Sequence, residues 1–161
     1  IDISDVVEKS LPSVVSIKVL KYDFRVQGQN IDLSDLLKMF EGSTDIKGFK
    51  FKPTRESLSL GSGFVCKSSK NEAFIITNAH LVMKANKIMV QINAGKGKTI
   101  SDEDYNYTAE VIGIDERTDL AIIKIKTKNK VPALQLAKNI SHVKIGQGVF
   151  AIGNPFGLNQ T

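Results

Sequence analysis

Two side chains in this sequence could do acid–base chemistry, and each stands where a predicted strand meets a turn. His80 follows the apolar run 74–76 and the small or polar residues 77–79, so its imidazole is expected at a strand end. Asp119 immediately precedes a second apolar run, residues 120–125, where packing is expected to desolvate its carboxylate. Histidine is the side chain most often used as a general base. Taken singly, each residue has a more ordinary interpretation, a structural hydrogen-bonding histidine and a turn or capping aspartate.

The elements that must position these residues are predicted to be short β-strands. Patterns rich in β-branched and apolar residues, bounded by turn-forming residues, predict strands at residues 13–20, 59–66, 73–77, 87–92, 107–114, 120–125 and 148–152. The breaks between the later strands are too short for the crossover helices of a parallel sheet, and closing an antiparallel sheet removes its edges. Residues 2–11 have helical spacing and Pro12 ends them. The predicted fold class is mostly β: an antiparallel six- to seven-stranded barrel with a short N-terminal helix.

Several motifs, in order and in register, resemble the protease domain of the HtrA (DegP) family of trypsin-like serine proteases. The similarity extends from about Asp5 to Thr161 and is loose at residues 21–57 and 93–106. The motifs that carry it are Val-Val-Glu-Lys-Ser-Leu-Pro-Ser-Val-Val at 6–15, Gly-Ser-Gly-Phe-Val at 61–65, Thr-Asn-Ala-His-Leu-Val at 77–82, Arg-Thr-Asp-Leu-Ala at 117–121 and Ala-Ile-Gly-Asn-Pro-Phe-Gly at 151–157.

The resemblance implies a role for each of the two chemical residues. His80 is expected to be the general base that activates a serine hydroxyl, and Asp119 the carboxylate that orients its ring. In the family the serine lies in a Gly-Asn-Ser-Gly-Gly type turn of a second barrel, and this sequence contains no such turn. Ser62, between Gly61 and Gly63, is interpreted as structural, because the glycines permit close packing or a bulge.

The resemblance also implies the domain organisation. Residues 1–161 are expected to form the first barrel of an HtrA-type protease domain of chymotrypsin-like two-barrel fold, with the second barrel and any PDZ domain absent from this chain. The chain alone is therefore expected to be inactive. The first residue is Ile1 rather than Met, which suggests that the start was processed or trimmed.

The function implied is that of a serine endopeptidase acting on misfolded or unfolded proteins in the periplasm or cell envelope. The full-length protein is expected to be a trimer-based homo-oligomer, and no cofactor is implied. Two alternative functions are a non-catalytic pseudo-protease or chaperone-like binding module, and a small basic barrel that binds nucleic acid.

A long insertion at about residues 21–57 is predicted to be mostly loop, with one amphipathic patch. In the family a loop at this place can reach the active site of a neighbouring subunit. We therefore hypothesise that the apolar side chains of the patch bury against a partner subunit or a second barrel, the alternative being a disordered surface insertion. The residues concerned are Leu36, Leu37, Met39 and Phe40.

Composition limits the other classes of function. The chain has 161 residues, of which 42% are hydrophobic and 24% charged, which is enough for one domain with its own core. The net charge of +5 and pI near 9.3 come from dispersed lysines without interleaved aromatic residues, so nucleic-acid binding is not favoured. Two histidines and the single Cys66 show no metal-ligand spacing and permit no intrachain disulfide. No apolar run reaches the roughly 18–20 residues of a membrane span.

Overall fold

The computed structural model describes residues 2–40, 53–92 and 105–153 of the chain. The described helices are α1 Ser4–Ser10, α2 Leu33–Met39 and α3 Ala79–Val82, with single 3₁₀ turns at Leu11–Ser13 and Ile140–His142. The described strands are β1 Val14–Val26, β2 Gln29–Asp32, β3 Arg55–Ser68, β4 Glu72–Asn78, β5 Lys87–Ile92, β6 Tyr107–Asp115 and β7 Leu120–Lys126.

These strands form one antiparallel sheet that closes on itself. The strand order is β2-β1-β3-β4-β7-β6-β5, and β1 pairs in addition with β5. Six strands therefore form a closed barrel and β2 lies outside it. The length of β1 makes this possible, because Val15 to Leu20 pair with β5 while Asp23 to Val26 pair with β2. The predicted fold class, a mostly β antiparallel barrel with a short N-terminal helix, is confirmed.

The barrel interior is filled by alternate aliphatic side chains of its strands. Along β7 the inward residues alternate with outward ones, as a half-buried strand requires, and Ile75 of β4 lies opposite Ile123 of β7 in the pairing register. Both are fully buried. The fully or almost fully buried core also contains Val15, Ile17, Val19, Val65, Ala73, Ala79, Val82, Val90 and Ile125.

Glycine at position 63 is required by this packing. A Cβ atom there would lie 2.8 Å from the Ile75 Cγ2, 2.8 Å from the Ile76 carbonyl oxygen and 2.9 Å from the Ile17 Cδ1. A Cβ carbon essentially never lies this close to a non-bonded atom, so the strand passes at this point without a side chain.

The structure corrects the predicted bounds of the 21–57 insertion. β1 continues through residues 21–26 and β3 begins at Arg55, so pairing enters the insertion from both ends. The alternating apolar residues Tyr22, Phe24 and Val26 carry the strand, and Phe24 is buried. A two-residue turn with positive φ at Gln27 and Gly28 then leads into β2, as hairpins of this kind require. The central residues 41–52 lie outside the described part of the chain.

The predicted strand at residues 148–152 is wrong. This segment forms no strand, and Val149 and Phe150 are exposed. A strand needs a neighbour to pair its backbone groups, and none of the described strands pairs with this segment. The rest of its motif, from Asn154 onwards, lies outside the described residues. Among the described helices, none has the length and apolar character needed to cross a bilayer.

Candidate active site

The turn that carries His80 is held on the end of the barrel by buried side chains. β4 ends at Asn78, and the short helix α3 follows with Ala79, Leu81 and Val82 buried in the barrel. These three side chains fix the helical turn on the end of the barrel and leave His80 on its outer side. The His80 side chain is 73% exposed, so its ring is accessible to an incoming molecule.

Asp119 is brought to the same end of the barrel by strand pairing. It lies at the end of the tight turn between β6 and β7, and Leu120, the next residue, pairs with Asn78 at the end of β4. The Ala79 backbone N–H donates to the Asp119 carbonyl oxygen at 3.1 Å. The adjacent ends of β4 and β7 thus place the two predicted residues side by side.

The imidazole and the carboxylate form a hydrogen-bonded pair. The His80 Nδ1 lies 2.7 Å from the Asp119 Oδ2, and the His80 backbone N–H donates to Oδ1 at 2.9 Å. These two contacts, the backbone one first, hold the pKa of the Asp119 carboxyl below its ordinary value. An ionised carboxylate can only accept, so Nδ1 carries the proton and Nε2 is the nitrogen able to take one.

The expected burial of Asp119 is not found. Its side chain is 44% exposed, and the outward residues that follow it in β7, Leu120 and Ile122, are themselves exposed. Barrel packing alone does not desolvate it.

An open cavity of about 460 Å³ is lined in part by His80. Its far wall is the β1–β2 hairpin with the start of α2. The Lys21 ammonium donates to the His80 carbonyl oxygen at 3.3 Å, and Lys84 forms an ion pair of 2.9 Å with Asp32. The cavity is lined by Lys21, Tyr22, Asp23, Asn30, Ile31, Asp32, Asp35, His80, Met83 and Lys84.

The amphipathic patch of the insertion forms the predicted helical turns, as α2. Leu36 is 2% exposed, so it packs within its own chain, and the hypothesis that it buries against a partner is wrong for this residue. Leu37 and Met39 are 53% and 58% exposed, and Phe40 is half-buried. For these three the hypothesis stays a prediction.

Ser62 and Cys66 both lie within strand β3. Ser62 is in the middle of β3, where its carbonyl oxygen accepts from the Thr77 hydroxyl at 2.8 Å. The Cys66 thiol donates to the Phe74 carbonyl oxygen at 3.4 Å. Burial raises the pKa of Cys66, so it stays protonated at neutral pH and packs as a small apolar residue. Residues 2–40, 53–92 and 105–153 hold no group of three or more potential metal ligands.

Sequence reasoning missed one residue at the site, Asn78. It stands in the Thr-Asn-Ala-His motif, but no role was attached to it. Its side-chain amide donates to the Asp119 carbonyl oxygen at 3.3 Å and to the Asp119 Oδ2 at 3.4 Å. A polar residue at the last position of β4, beside the histidine, was the available signal.

The fold and the pair define a class of protein. The family model of the trypsin-like peptidase domain matches residues 61–161, a stretch that contains both His80 and Asp119. The chain belongs to the trypsin-like peptidases.

Similarity to individual proteins narrows this class. The chain is 37% identical to a probable periplasmic serine endoprotease DegP-like of Buchnera aphidicola subsp. Baizongia pistaciae, over 99% of the chain and 32% of that protein. It is 32% identical to the periplasmic pH-dependent serine endoprotease DegQ of Escherichia coli K12, over 99% of the chain and 30% of that protein. A DegP-like protein of Chlamydia pneumoniae is 40% identical over 68% of the chain and 20% of its own length. The resemblance to the HtrA (DegP) family is thus confirmed, and the chain spans about a third of the length of the first two relatives.

Proposed function

We propose that this chain is the His- and Asp-bearing half of an HtrA-type serine endopeptidase that acts on unfolded or misfolded proteins. The observation that carries the proposal is the 2.7 Å contact between the His80 Nδ1 and the Asp119 Oδ2 on the end of the barrel. The names of the similar proteins, which are serine endoproteases, support the reaction class.

In this proposal His80 is the general base. A serine hydroxyl is a weak nucleophile at neutral pH, and it attacks a peptide carbonyl effectively only if a base takes its proton. The Nε2 of His80 takes that proton and later gives it to the leaving amine. Asp119 keeps the proton on Nδ1 and stabilises the positive ring that forms, without itself becoming protonated.

The nucleophile comes from outside these 161 residues. Two features support this part of the proposal: the sequence has no Gly-Asn-Ser-Gly-Gly turn, and an apolar surface lies open beside Asp119. We call this surface the β6–β7 face, and it consists of Leu120 and Ile122 of β7 with Ile114 near the end of β6, all exposed. A neighbouring cavity of about 340 Å³ between the same two strands is lined mainly by apolar residues. A second barrel seated here would cover the face, desolvate Asp119 and bring the serine to His80.

The compartment and the assembly are part of the same proposal. The similar proteins are named periplasmic, which supports the periplasm or cell envelope for this one. Contact with a partner subunit is supported by the exposed Leu37 and Met39 of α2, a helix whose Asp35 lines the cavity beside His80. A trimer-based homo-oligomer would give these side chains a cover.

The test compares two proteins and two histidines. In the longer protein that contains this sequence, His80→Ala should lower kcat/KM for unfolded casein by at least about 10³-fold. His142→Ala is the matched control, since His142 is also exposed but belongs to the 3₁₀ turn Ile140–His142 and not to the hydrogen-bonded pair; it should leave kcat/KM within about twofold of the parent. The 161-residue chain alone should neither cleave casein nor react with a fluorophosphonate serine probe.

Two results would contradict the proposal. Stoichiometric fluorophosphonate labelling of the 161-residue chain would place a reactive serine within it. Equal activity of the His80→Ala and His142→Ala variants of the longer protein would remove the imidazole from the reaction.

A further inference from the structure

Asp119 is held in an unusual backbone conformation at the point where it meets the histidine. Its φ is +56°, in the left-handed region that residues with a side chain seldom occupy. Aspartate tolerates this region better than most residues with a side chain, but the conformation is sparsely populated, and residues in such conformations cluster at active sites. The question is which contacts fix this one.

Three consecutive residues of one segment donate to Asp119. The Ala79 backbone N–H binds its carbonyl oxygen and the His80 backbone N–H binds its Oδ1. Both of these are main-chain donors, present with any side chain at those positions. The third donor is the side chain of Asn78, and it alone contacts both the main chain and the carboxylate, at 3.3 Å and 3.4 Å.

The orientation of the Asn78 amide follows from its neighbours. Both acceptors are oxygens without a hydrogen, a carbonyl and an ionised carboxylate, so the amide must present its NH₂ group to them. Because the Asn78 amide nitrogen binds both the carbonyl oxygen and the carboxylate of Asp119, it restrains the torsion angles that lie between these two groups. The Oδ2 bound in this way is the atom that accepts from the His80 Nδ1.

We infer that Asn78 is a positioning residue, whose side-chain amide locks the left-handed Asp119 and aims its Oδ2 at the His80 ring. This rests on the proposed function, since it gives Asn78 a part in the same reaction. Asn78 touches neither substrate nor the reacting atoms, and it acts through Asp119. The chemistry that position 78 requires is a hydrogen-bond donor without charge.

Two substitutions separate this role from simple packing. Asn78→Ala removes the donor, and it should lower kcat about five- to tenfold with KM unchanged, the effect of one hydrogen bond that orients a catalytic group. Asn78→Asp keeps the shape but places a second carboxylate beside Asp119, and like charges this close oppose each other. It should lower kcat further, by about 30-fold or more. A packing role would give the reverse order, because aspartate fills the space of asparagine and alanine does not.

The matched control is Asn71, an exposed asparagine in the turn between β3 and β4. Asn71→Ala and Asn71→Asp make the same chemical changes away from the pair, and both should keep kcat within about twofold. If Asn78→Asp fails to fold, the split between kcat and KM in Asn78→Ala decides.

A second measurement does not depend on activity. In the 161-residue chain with ¹⁵N-labelled histidine, ring ¹⁵N chemical shifts report which nitrogen carries the proton. In the uncharged ring of the parent, His80 should be protonated almost entirely on Nδ1, and both Asn78 variants should show a severalfold rise of the Nε2-protonated form. Unchanged tautomer populations, or a higher kcat in Asn78→Asp than in Asn78→Ala, would overturn the inference. A fully active His80→Ala protein would instead overturn the proposed function, and the tautomer populations would still decide the role of Asn78.

Discussion

The two sides of strand β7 differ completely in how the chain uses them. Ile123 and Ile125 point into the barrel and are 0% and 1% exposed, whereas Leu120 and Ile122 point outward and are 50% and 40% exposed. The same kind of side chain thus fills a finished interior on one side and forms an uncovered surface on the other. The interior is complete within this chain, and the outward side, next to Asp119, has the composition of an interface.

The largest effect should come from emptying the interior. Ile123→Ala removes a fully buried side chain opposite Ile75 and should lower the free energy of unfolding by about 2–5 kcal/mol, because it leaves a cavity as well as losing buried apolar area. Ile122→Ala, one position along, should lower it by less than about 1 kcal/mol in the same chain. Urea titration of both variants measures the difference.

The Ile122→Ala variant also tests whether another part of the protein covers the outward side of β7. In the longer protein of the proposed function Ile122 would be covered, and Ile122→Ala should then cost clearly more than in the 161-residue chain. An equal and small cost in both proteins would mean that the β6–β7 face stays open.

A smaller effect is expected where the backbone passes closely through the interior. Gly63→Ala places a methyl group against the Ile76 carbonyl oxygen and two isoleucine side chains, and it should destabilise the fold by about 1–3 kcal/mol. Gly113, on the open β6–β7 hairpin, has nothing within 4 Å of the corresponding position, and its φ is not positive. Gly113→Ala should therefore be neutral or raise stability by up to about 1 kcal/mol. Thermal unfolding of the two variants is the measurement, and equal midpoints would contradict the packing described for Gly63.

Most of the barrel could be predicted because its strands carry their own signals. The β-branched runs that became β4, β5 and β7 were found to within a residue or two, since inward alternation in a closed sheet is a local pattern. The extension of β1 carried the same alternation, in Tyr22, Phe24 and Val26, but among charged residues, and it was not recognised. The strand prediction for residues 148–152 was wrong for a different reason. These residues have the pattern of a strand, but a strand also needs a neighbour to pair with, and the local pattern does not show whether there is one.

The candidate site, like the barrel, could be predicted only in part. The pairing of His80 with Asp119 could be predicted only from the resemblance to the HtrA family, because the strand pattern by itself puts each residue at a strand end and does not say that the two ends meet. The exposure of Asp119 could not, since it depends on what covers Leu120 and Ile122. Nor could the part played by Asn78, because a side-chain hydrogen bond to a left-handed residue is a matter of three-dimensional geometry that one position in a sequence does not encode.

The smallest effect is expected from removing the negative charge of Asp119. Asp119→Asn removes the charge and keeps the shape, and asparagine, like aspartate, tolerates the left-handed conformation, so backbone strain is matched. The folded-state pKa of Asp119 is lowered, chiefly by the His80 backbone N–H and then by the His80 ring. A lowered pKa means that the carboxylate stabilises the fold above the unfolded-state value of about 3.9 and that this contribution disappears as the pH falls through the folded value. The urea midpoints of parent and variant should therefore differ at pH 5 and above and converge below about pH 4. The difference should be small, because a carboxylate that is 44% exposed is well solvated. A difference that persists unchanged below about pH 3 would show that the contacts of Asp119, and not its charge, stabilise this end of the barrel.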